Sequence, residues 1–313
     1  MAASVESTEP VVARSAIISH IVRQADETRT GDWDGFTLRS AFQPIFAFAA
    51  NGKLEIVAFE GLLRPFRKGV ALSPPDFFGQ IPAPDRMNVE TLSRTLHLLN
   101  AGRFLDPAAS IFVNFDPSVF TDHVLTEQVL RDLRLVLHEA GLDYGRVVCE
   151  VTEQRSVSEA ALYNLVGELR EHGFRIAVDD YGAEDSDMNR IAALRPDIVK
   201  FDARWTNQLM NTGPGVGLLS AMVTTFRDFG IETVFEGIEH GWQLELAQAA
   251  GASMVQGYAI ARPELAPTRF GDGRWTVRDS ANAADTAPID RARLGGHADA
   301  APVFGKRGVH SGG

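Results

Sequence analysis

The sequence predicts a TIM-type (β/α)8 barrel with one antiparallel strand near its start. The chain has 313 residues, 45% of them hydrophobic, which is enough to bury one large core. Short apolar runs rich in β-branched or aromatic residues alternate with longer segments of helical periodicity, the pattern of repeated βα units. There are eight such runs, the number of strands that closes a barrel of this class.

The predicted elements follow one another in a regular order. The strands span residues 42–46, 54–63, 110–115, 147–151, 175–179, 198–201, 233–235 and 253–256. The helices span residues 88–101, 126–140, 158–172, 187–194, 217–229 and 241–250. Asn51-Gly52, a dipeptide that favours a tight hairpin, lies between the first two strands, and a parallel crossover there would need about a dozen residues. These strands are therefore expected to be antiparallel. The glycine-rich stretch 213–217 is interpreted as a loop.

Three segments are expected along the chain. Residues 1–36 form a leader with one short helix, residues 37–267 form the barrel domain, and residues 268–313 form a mostly disordered tail. The apolar face of the leader helix consists of Ile17, Ile18, Ile21 and Val22. This face is expected to pack on the barrel or on a partner subunit rather than on a membrane surface.

The charge and the cysteine content exclude several function classes. The formal net charge is −11, so the chain offers no broad basic face for DNA, RNA or an anionic membrane. The single cysteine, Cys149, excludes a disulfide framework and a zinc site built from several thiolates. It lies in an apolar run, so it is not a candidate nucleophile. No signal peptide and no run of roughly 18 apolar residues is present, and a cytoplasmic protein is expected.

Polar side chains recur where the apolar runs end. The carboxyl ends of barrel strands meet at one mouth, where barrel enzymes build their active sites, so these side chains are expected to converge. Independent loop caps are the alternative, but a whole series of them is a poor explanation because charges are rarely buried without partners. The residues are Asn114, Glu150, Asp179, Asp180, Lys200, Glu236 and Gln256, joined by Glu60 inside the second run.

The ligand set at this mouth is all oxygen, which indicates a hard divalent cation. Five carboxylates of the series would raise one another's pKa values unless a cation lay among them. Oxygen ligands favour Mg²⁺ or Mn²⁺ over zinc. The adjacent Asp179 and Asp180 are compatible with two ions, which together can clamp a phosphoryl group. Lys200 would then hold the attacking water or balance phosphate charge, with a structural ion pair as the alternative.

The ordered motifs resemble those of the EAL family of cyclic di-GMP phosphodiesterases. The motifs are FQPIF, FEGLLR, FVNFDP, CEVTE, VDDYG, DIVKFD, FEGIEH and VQGYAIARP. The resemblance implies a barrel with one reversed strand, two Mg²⁺ or Mn²⁺ ions, and hydrolysis of one phosphodiester bond of cyclic di-GMP to linear pGpG. It also implies bacterial second-messenger signalling by a homodimer, with room for an unidentified regulatory protein.

The resemblance also assigns roles to single positions. The catalytic positions are matched by Glu60, Lys200, Glu153 and Glu239. Positions that contact substrate are matched by Gln43, Arg64 and Gln256. The family's metal ligands are matched by Glu60, Asn114, Glu150, Asp179, Asp180 and Glu236. Among the catalytic positions, Lys200 corresponds to a water-orienting lysine, and the last two glutamates support the site and its mobile loop.

Two departures from the family pattern stand out. Gly61 replaces the alanine usual in the name-giving tripeptide, and little effect on Glu60 is expected. After the aspartate pair, Glu184, Asp185 and Asp187 replace small or polar residues. In the family this loop couples the metal site to the dimer interface, so the second departure concerns regulation more than metal binding.

Three functions are compatible with the sequence. The first is a metal-dependent cyclic di-GMP phosphodiesterase. The second is a non-catalytic cyclic di-GMP receptor, although receptors of this kind usually lose several metal ligands and this chain retains them. The third is another metal-dependent barrel enzyme, such as a lyase with a lysine base, because a fold alone does not determine function.

Overall fold

The computed structural model describes residues 14–50, 52–117, 123–152, 159–183 and 188–272. Its strands are β1 (Ile21–Arg23), β2 (Arg29–Trp33), β3 (Phe36–Phe48), β4 (Leu54–Arg67), β5 (Val70–Ala71), β6 (Ser110–Phe115), β7 (Val147–Thr152), β8 (Arg175–Tyr181), β9 (Ile198–Phe201), β10 (Glu232–Phe235), β11 (Met254–Val255) and β12 (Glu264–Leu265). Its helices are α1 (Arg14–Ser19), α2 (Pro74–Phe78), α3 (Arg86–Phe104), α4 (His123–Ala140), α5 (Glu159–Glu171), α6 (Met188–Leu194), α7 (Ala203–Met210), α8 (Gly213–Asp228) and α9 (Gly241–Ala250). Within these ranges, no helix combines the length and the apolarity that a membrane span requires.

Eight of the strands close a barrel. Their order is β3, β11, β10, β9, β8, β7, β6 and β4, and β4 pairs again with β3. Strand β3 is antiparallel to both of its neighbours, whereas the other barrel strands run parallel to one another. The predicted barrel with one reversed strand near its start is therefore confirmed.

The reversal arises at the hairpin between β3 and β4. Phe48 pairs with Leu54 across the hairpin, and Gly52 has a φ of 75°, in the left-handed region that favours glycine. The connection is too short for a parallel crossover, as the sequence predicts.

One apolar layer lies on each side of the barrel wall. The outer layer packs the strands against the helices. The inner apolar layer takes one side chain from each barrel strand: Ile45, Ala58, Phe112, Val148, Ala177, Ile198, Val234 and Met254. Because side chains alternate across a strand, the residue two positions away from each of these again faces the barrel interior. The inner apolar layer thus forms the floor beneath the barrel mouth.

The segment before the barrel differs from the predicted leader. Its helix is limited to α1, and Ile21 and Val22 belong to β1 instead. Strand β1 pairs with β2, which pairs with β3, so the segment extends the barrel sheet. The apolar spacing fits a helical face, but backbone pairing with β2 determines the conformation of residues 21–23.

The predicted loop at residues 213–217 is also wrong, because helix α8 begins there. The side chain of Thr212 caps the helix by accepting a hydrogen bond from the amide of Gly215, and Pro214 lies in the first turn. A Cβ at Gly215 would overlap the carbonyl oxygen of Leu209, so this glycine allows a close approach of two backbone segments.

A buried polar network connects α3 to the start of the barrel. His97 is 4% exposed, and its ring nitrogens lie 2.9 Å from the hydroxyl oxygen of Ser40 and 3.1 Å from that of Ser93. Asn100 donates to Ser40 and to the carbonyl oxygen of Arg29, and it accepts from the Arg29 amide. Burial lowers the pKa of His97 to about 3, and nearby arginines act in the same direction.

We expect His97 to make the protein less stable as the pH falls below 6.5, the ordinary pKa of histidine. The ring stays neutral in the folded protein but takes up a proton in the unfolded chain, so acid favours unfolding by up to about 1.4 kcal/mol per pH unit. Urea unfolding at a series of pH values measures this slope, which should be smaller in a His97→Asn variant. Carboxylates with raised pKa values contribute the opposite slope in every variant, so the difference between variants isolates His97.

The exposed His138 provides the matched control. His138→Asn should leave the slope of the parent protein unchanged. Equal slopes of stability against pH in the parent and in His97→Asn would contradict a lowered pKa at His97.

Candidate active site

Each barrel strand supplies one polar side chain directly above the inner apolar layer. Each lies two positions beyond a residue of that layer, or two positions before it on the reversed strand β3. The strand register agrees with this common level, because Gln43 pairs with Glu60 and Asn114 pairs with Glu150. The eight residues are Gln43, Glu60, Asn114, Glu150, Asp179, Lys200, Glu236 and Gln256. The barrel therefore brings strand ends that are far apart in sequence to one mouth.

The mouth opens into a cleft of about 430 Å³. Its walls combine carboxylates, amides, the central lysine and one aromatic ring. The lining residues are Gln43, Glu60, Asp179, Asp180, Lys200, Ala203, Glu236, Gly237, Glu239, Gln256, Gly257 and Tyr258. The cleft thus contains most of the residues that the sequence assigns to the site.

Lys200 lies at the centre of the carboxylates and is 1% exposed. Its Nζ lies 2.5 Å from Oε1 of Glu150 and 2.7 Å from Oε1 of Glu236. The distances to Oδ1 of Asp179 and Oε1 of Glu60 are 3.0 Å and 3.7 Å. Burial alone would lower the pKa of Lys200, but the four carboxylates outweigh it and raise the pKa well above its usual value. The lysine is therefore a buried cation that connects four barrel strands.

One lysine does not neutralise this many acidic groups. Burial, together with the neighbouring Asp179, raises the pKa of Asp180 to about 6, and burial raises the pKa of Glu236 to about 8. Burial likewise raises the pKa of Glu150 well above its usual value, and Oε2 of this residue has no hydrogen-bond partner among the described residues. A buried carboxylate oxygen without a donor, beside crowded acidic groups, indicates a site that suits an added cation.

Three carboxylates offer a position for a divalent ion. One oxygen atom from each of Asp179, Asp180 and Glu236 lies within 4.8 Å of the others. Asp180 reaches this position with a φ of 59°, which is uncommon for a residue other than glycine. An all-oxygen set of this kind fits Mg²⁺, Mn²⁺ or Ca²⁺.

The structure also brings three further predicted residues to the cleft. Gln256 donates a hydrogen bond of 2.8 Å from Nε2 to Oε2 of Glu60. Gln43 donates from Nε2 to the carbonyl oxygen of Ala261 at 3.3 Å. Glu239 is on the cleft wall, where its backbone amide donates to a side-chain oxygen of α9.

The cleft lining does not include Glu150, Asn114 or Arg64. Asn114 is exposed, and Arg64 donates to the carbonyl oxygen of Leu63 at 2.9 Å. Glu153 and the acidic loop residues 184–187 lie outside the described residues. The roles assigned to these and to the other predicted site residues stay predictions.

Tyr258 is a cleft residue that the sequence alone does not indicate. Its side chain is 50% exposed, and the guanidinium carbon of Arg262 lies 4.6 Å from the centre of its ring. A half-exposed ring at a cleft can stack a nucleobase, and the nearby cation adds favourable charge. A tyrosine in an apolar motif is equally typical of core packing, so only its position at the mouth reveals this possibility.

Comparison with known proteins identifies the family. The profile of the EAL domain matches residues 34–263. The chain belongs to the EAL family. It is 26% identical over 224 residues to a protein of Escherichia coli K12 named as the probable cyclic di-GMP phosphodiesterase PdeN, and the match covers 71% of this chain and 43% of PdeN. It is also 26% identical over 258 residues to the cyclic di-GMP phosphodiesterase RocR of Pseudomonas aeruginosa, and that match covers 80% of this chain and 62% of RocR.

Solved structures of EAL proteins share the fold. Bacillus subtilis YkuI, in complex with cyclic di-GMP and calcium, matches with a TM-score of 0.64 and 25% identity over 78% of this chain and 60% of YkuI. Klebsiella pneumoniae BlrP1, in complex with manganese and cyclic di-GMP, matches with a TM-score of 0.64 and 25% identity, and the match covers 79% of this chain and 59% of BlrP1. The chain spans about half the length of the curated relatives that it matches, with 43% of PdeN and 54% of YkuI covered.

Proposed function

We propose that this protein is a metal-dependent phosphodiesterase that hydrolyses one phosphodiester bond of cyclic di-GMP and releases linear pGpG. The observation that carries the proposal is the acidic cluster around a buried lysine at the mouth of an EAL-family barrel. Relatives are named as cyclic di-GMP phosphodiesterases, and solved relatives contain this nucleotide with calcium or manganese.

The carboxylates are proposed to hold two Mg²⁺ or Mn²⁺ ions. The proposed ligands are Glu60, Asn114, Glu150, Asp179, Asp180 and Glu236. Bound divalent ions polarise phosphoryl oxygens and lower the pKa of water. The excess of negative charge and the unpartnered oxygen of Glu150 support this assignment.

Lys200 is proposed to orient the attacking water and to balance charge on the phosphate. An ammonium group offers three donors and no acceptor, and the surrounding carboxylates keep this one charged. A charged lysine does not accept a proton, which disfavours the alternative of a lyase with a lysine base.

The remaining predicted residues are assigned to substrate and to support of the site. Gln43, Arg64 and Gln256 are proposed to contact the nucleotide, and Glu153 and Glu239 are proposed to support the site and its loop. A cytoplasmic homodimer that responds to a regulatory protein is also proposed. The alternative is a receptor that binds cyclic di-GMP without hydrolysing it.

An assay of the purified protein separates these alternatives. With cyclic di-GMP, either Mn²⁺ or Mg²⁺ is expected to support release of pGpG, measured by liquid chromatography after chelation and metal addition. Ca²⁺ is expected to support binding without turnover, because it is larger, coordinates more loosely and is a poorer Lewis acid. Robust turnover with Ca²⁺ alone would contradict the metal assignment. Nucleotide binding without product in any metal would instead favour the receptor.

Tyr258→Ala is expected to raise KM about tenfold with little change in kcat, because stacking on an aromatic ring stabilises a bound base by about 1–3 kcal/mol. Steady-state kinetics over a range of cyclic di-GMP concentrations measures the effect. Tyr258→Phe is the matched control and should behave like the parent, since it keeps the ring. An unchanged KM in Tyr258→Ala, or an equal loss in both variants, would contradict stacking.

A further inference from the structure

Gly61 directly follows Glu60 on β4, and space rather than backbone conformation explains why it is glycine. Its φ is not in the left-handed region, so the backbone would accept another residue. A Cβ at this position, however, would lie 2.9 Å from Cγ of His97 and 3.0 Å from Cβ of the same residue. A contact of 2.9 Å is closer than carbon atoms pack, and one of 3.0 Å is tighter than most, so a methyl group here would force the strand or the helix to move.

His97 is held in place and cannot yield easily. It lies within α3 and is 4% exposed, with both ring nitrogens in contact with serine hydroxyls. Its ring also lies edge-on to Phe42, with the ring centres 6.3 Å apart. The helix and the two hydrogen-bonding contacts restrain the ring, so β4 is the element that would shift.

The other face of the same strand pair carries residues of the active site. Phe42 pairs with Gly61 on β3 and β4, and the next pair in register is Gln43 with Glu60. Because side chains alternate, His97 packs against the outer side of these strands while Gln43 and Glu60 face the cleft. A displacement that starts at Gly61 is therefore transmitted to Glu60 through the shared backbone.

We propose that Gly61 and His97 are a matched pair and that His97 is a positioning residue for Glu60. The imidazole occupies the volume that an alanine side chain would need, and it determines how closely α3 approaches β4. Alanine, the residue usual at this position in the family, is then harmful in this chain unless the imidazole is removed as well. The consequences for catalysis and for metal binding rest on the proposed function, whereas the consequence for packing does not.

The test is a double-mutant cycle of Gly61→Ala and His97→Ala. For each protein, kcat is measured at saturating Mn²⁺ and cyclic di-GMP, Mn²⁺ affinity by calorimetry, and stability by urea unfolding. Gly61→Ala is expected to lower kcat about tenfold, because small displacements of a catalytic group have large effects, and to weaken Mn²⁺ binding. The double variant should recover both quantities relative to Gly61→Ala, and its stability should exceed the value expected from adding the two single effects.

Gly167 provides a control, because nothing lies within 4 Å of a Cβ built there. Gly167→Ala combined with His97→Ala should show additive effects. If Gly61→Ala does not fold, the double variant must fold, and failure of both would overturn the proposal. Parental kcat and Mn²⁺ affinity in Gly61→Ala, or no recovery in the double variant, would also overturn it. If the parent does not hydrolyse cyclic di-GMP, the proposed function fails, while stability still decides whether the pair is coupled.

Discussion

Replacing Glu60 by glutamine is expected to reduce turnover of cyclic di-GMP by about a thousandfold, the upper range for loss of one preorganised electrostatic group. Glu60 faces the cleft, where Oε2 accepts from Gln256 at 2.8 Å and Oε1 lies 3.7 Å from Nζ of Lys200. The amide keeps the size of the side chain but removes the negative charge that a proposed metal ligand supplies. The fold should be retained, because Glu60 is one of four carboxylates around the lysine.

Initial rates at saturating Mn²⁺, together with thermal unfolding, measure this effect. Glu55→Gln is the matched control, since Glu55 lies on the same strand but is exposed. It should retain parental turnover. Turnover close to the parent in Glu60→Gln would remove Glu60 from the proposed catalytic machinery.

The sequence predicts much of the barrel and of its mouth because both follow from local patterns. Apolar runs identify the strands, and the end of each run identifies a polar side chain at the mouth. The hairpin containing Gly52 predicts that the first two barrel strands are antiparallel. The structure adds the reason for convergence, since each of these side chains lies one inward-facing position above the inner apolar layer.

Other features depend on contacts between distant segments, which local patterns do not contain. Residues 21–23 become a strand because β2 pairs with them, although their apolar spacing also fits a helix. Helix α8 begins at Gly213, and Gly215 in its first turn can approach Leu209 because it has no side chain. The left-handed backbone of Asp180 and the position of Tyr258 at the cleft follow from the folded chain around them. The lack of room for a side chain at Gly61 also depends on a distant segment, since it arises only once α3 packs on the barrel.

Lys200→Met is expected to destabilise the metal-free protein by about 3–5 kcal/mol, because removal of one partner leaves buried charges without compensation. Nζ of Lys200 lies within 3.0 Å of carboxylate oxygens from Glu150, Asp179 and Glu236. Methionine fills a similar volume but supplies no positive charge. Mn²⁺ is expected to restore most of the stability, because bound cations neutralise the same carboxylates.

Turnover by Lys200→Met should nevertheless stay at least about a hundredfold below the parent in saturating Mn²⁺, because no other group replaces the proposed donor to the attacking water. Urea unfolding with and without Mn²⁺, followed by rate measurements on the same samples, separates the two effects. Lys53→Met, at an exposed lysine, is the control and should change neither quantity. If Mn²⁺ restored turnover along with stability, Lys200 would act only as a structural counter-charge. Loss of turnover in a protein that Mn²⁺ has stabilised would instead assign the lysine to the reaction, since its structural role is then carried by the metal.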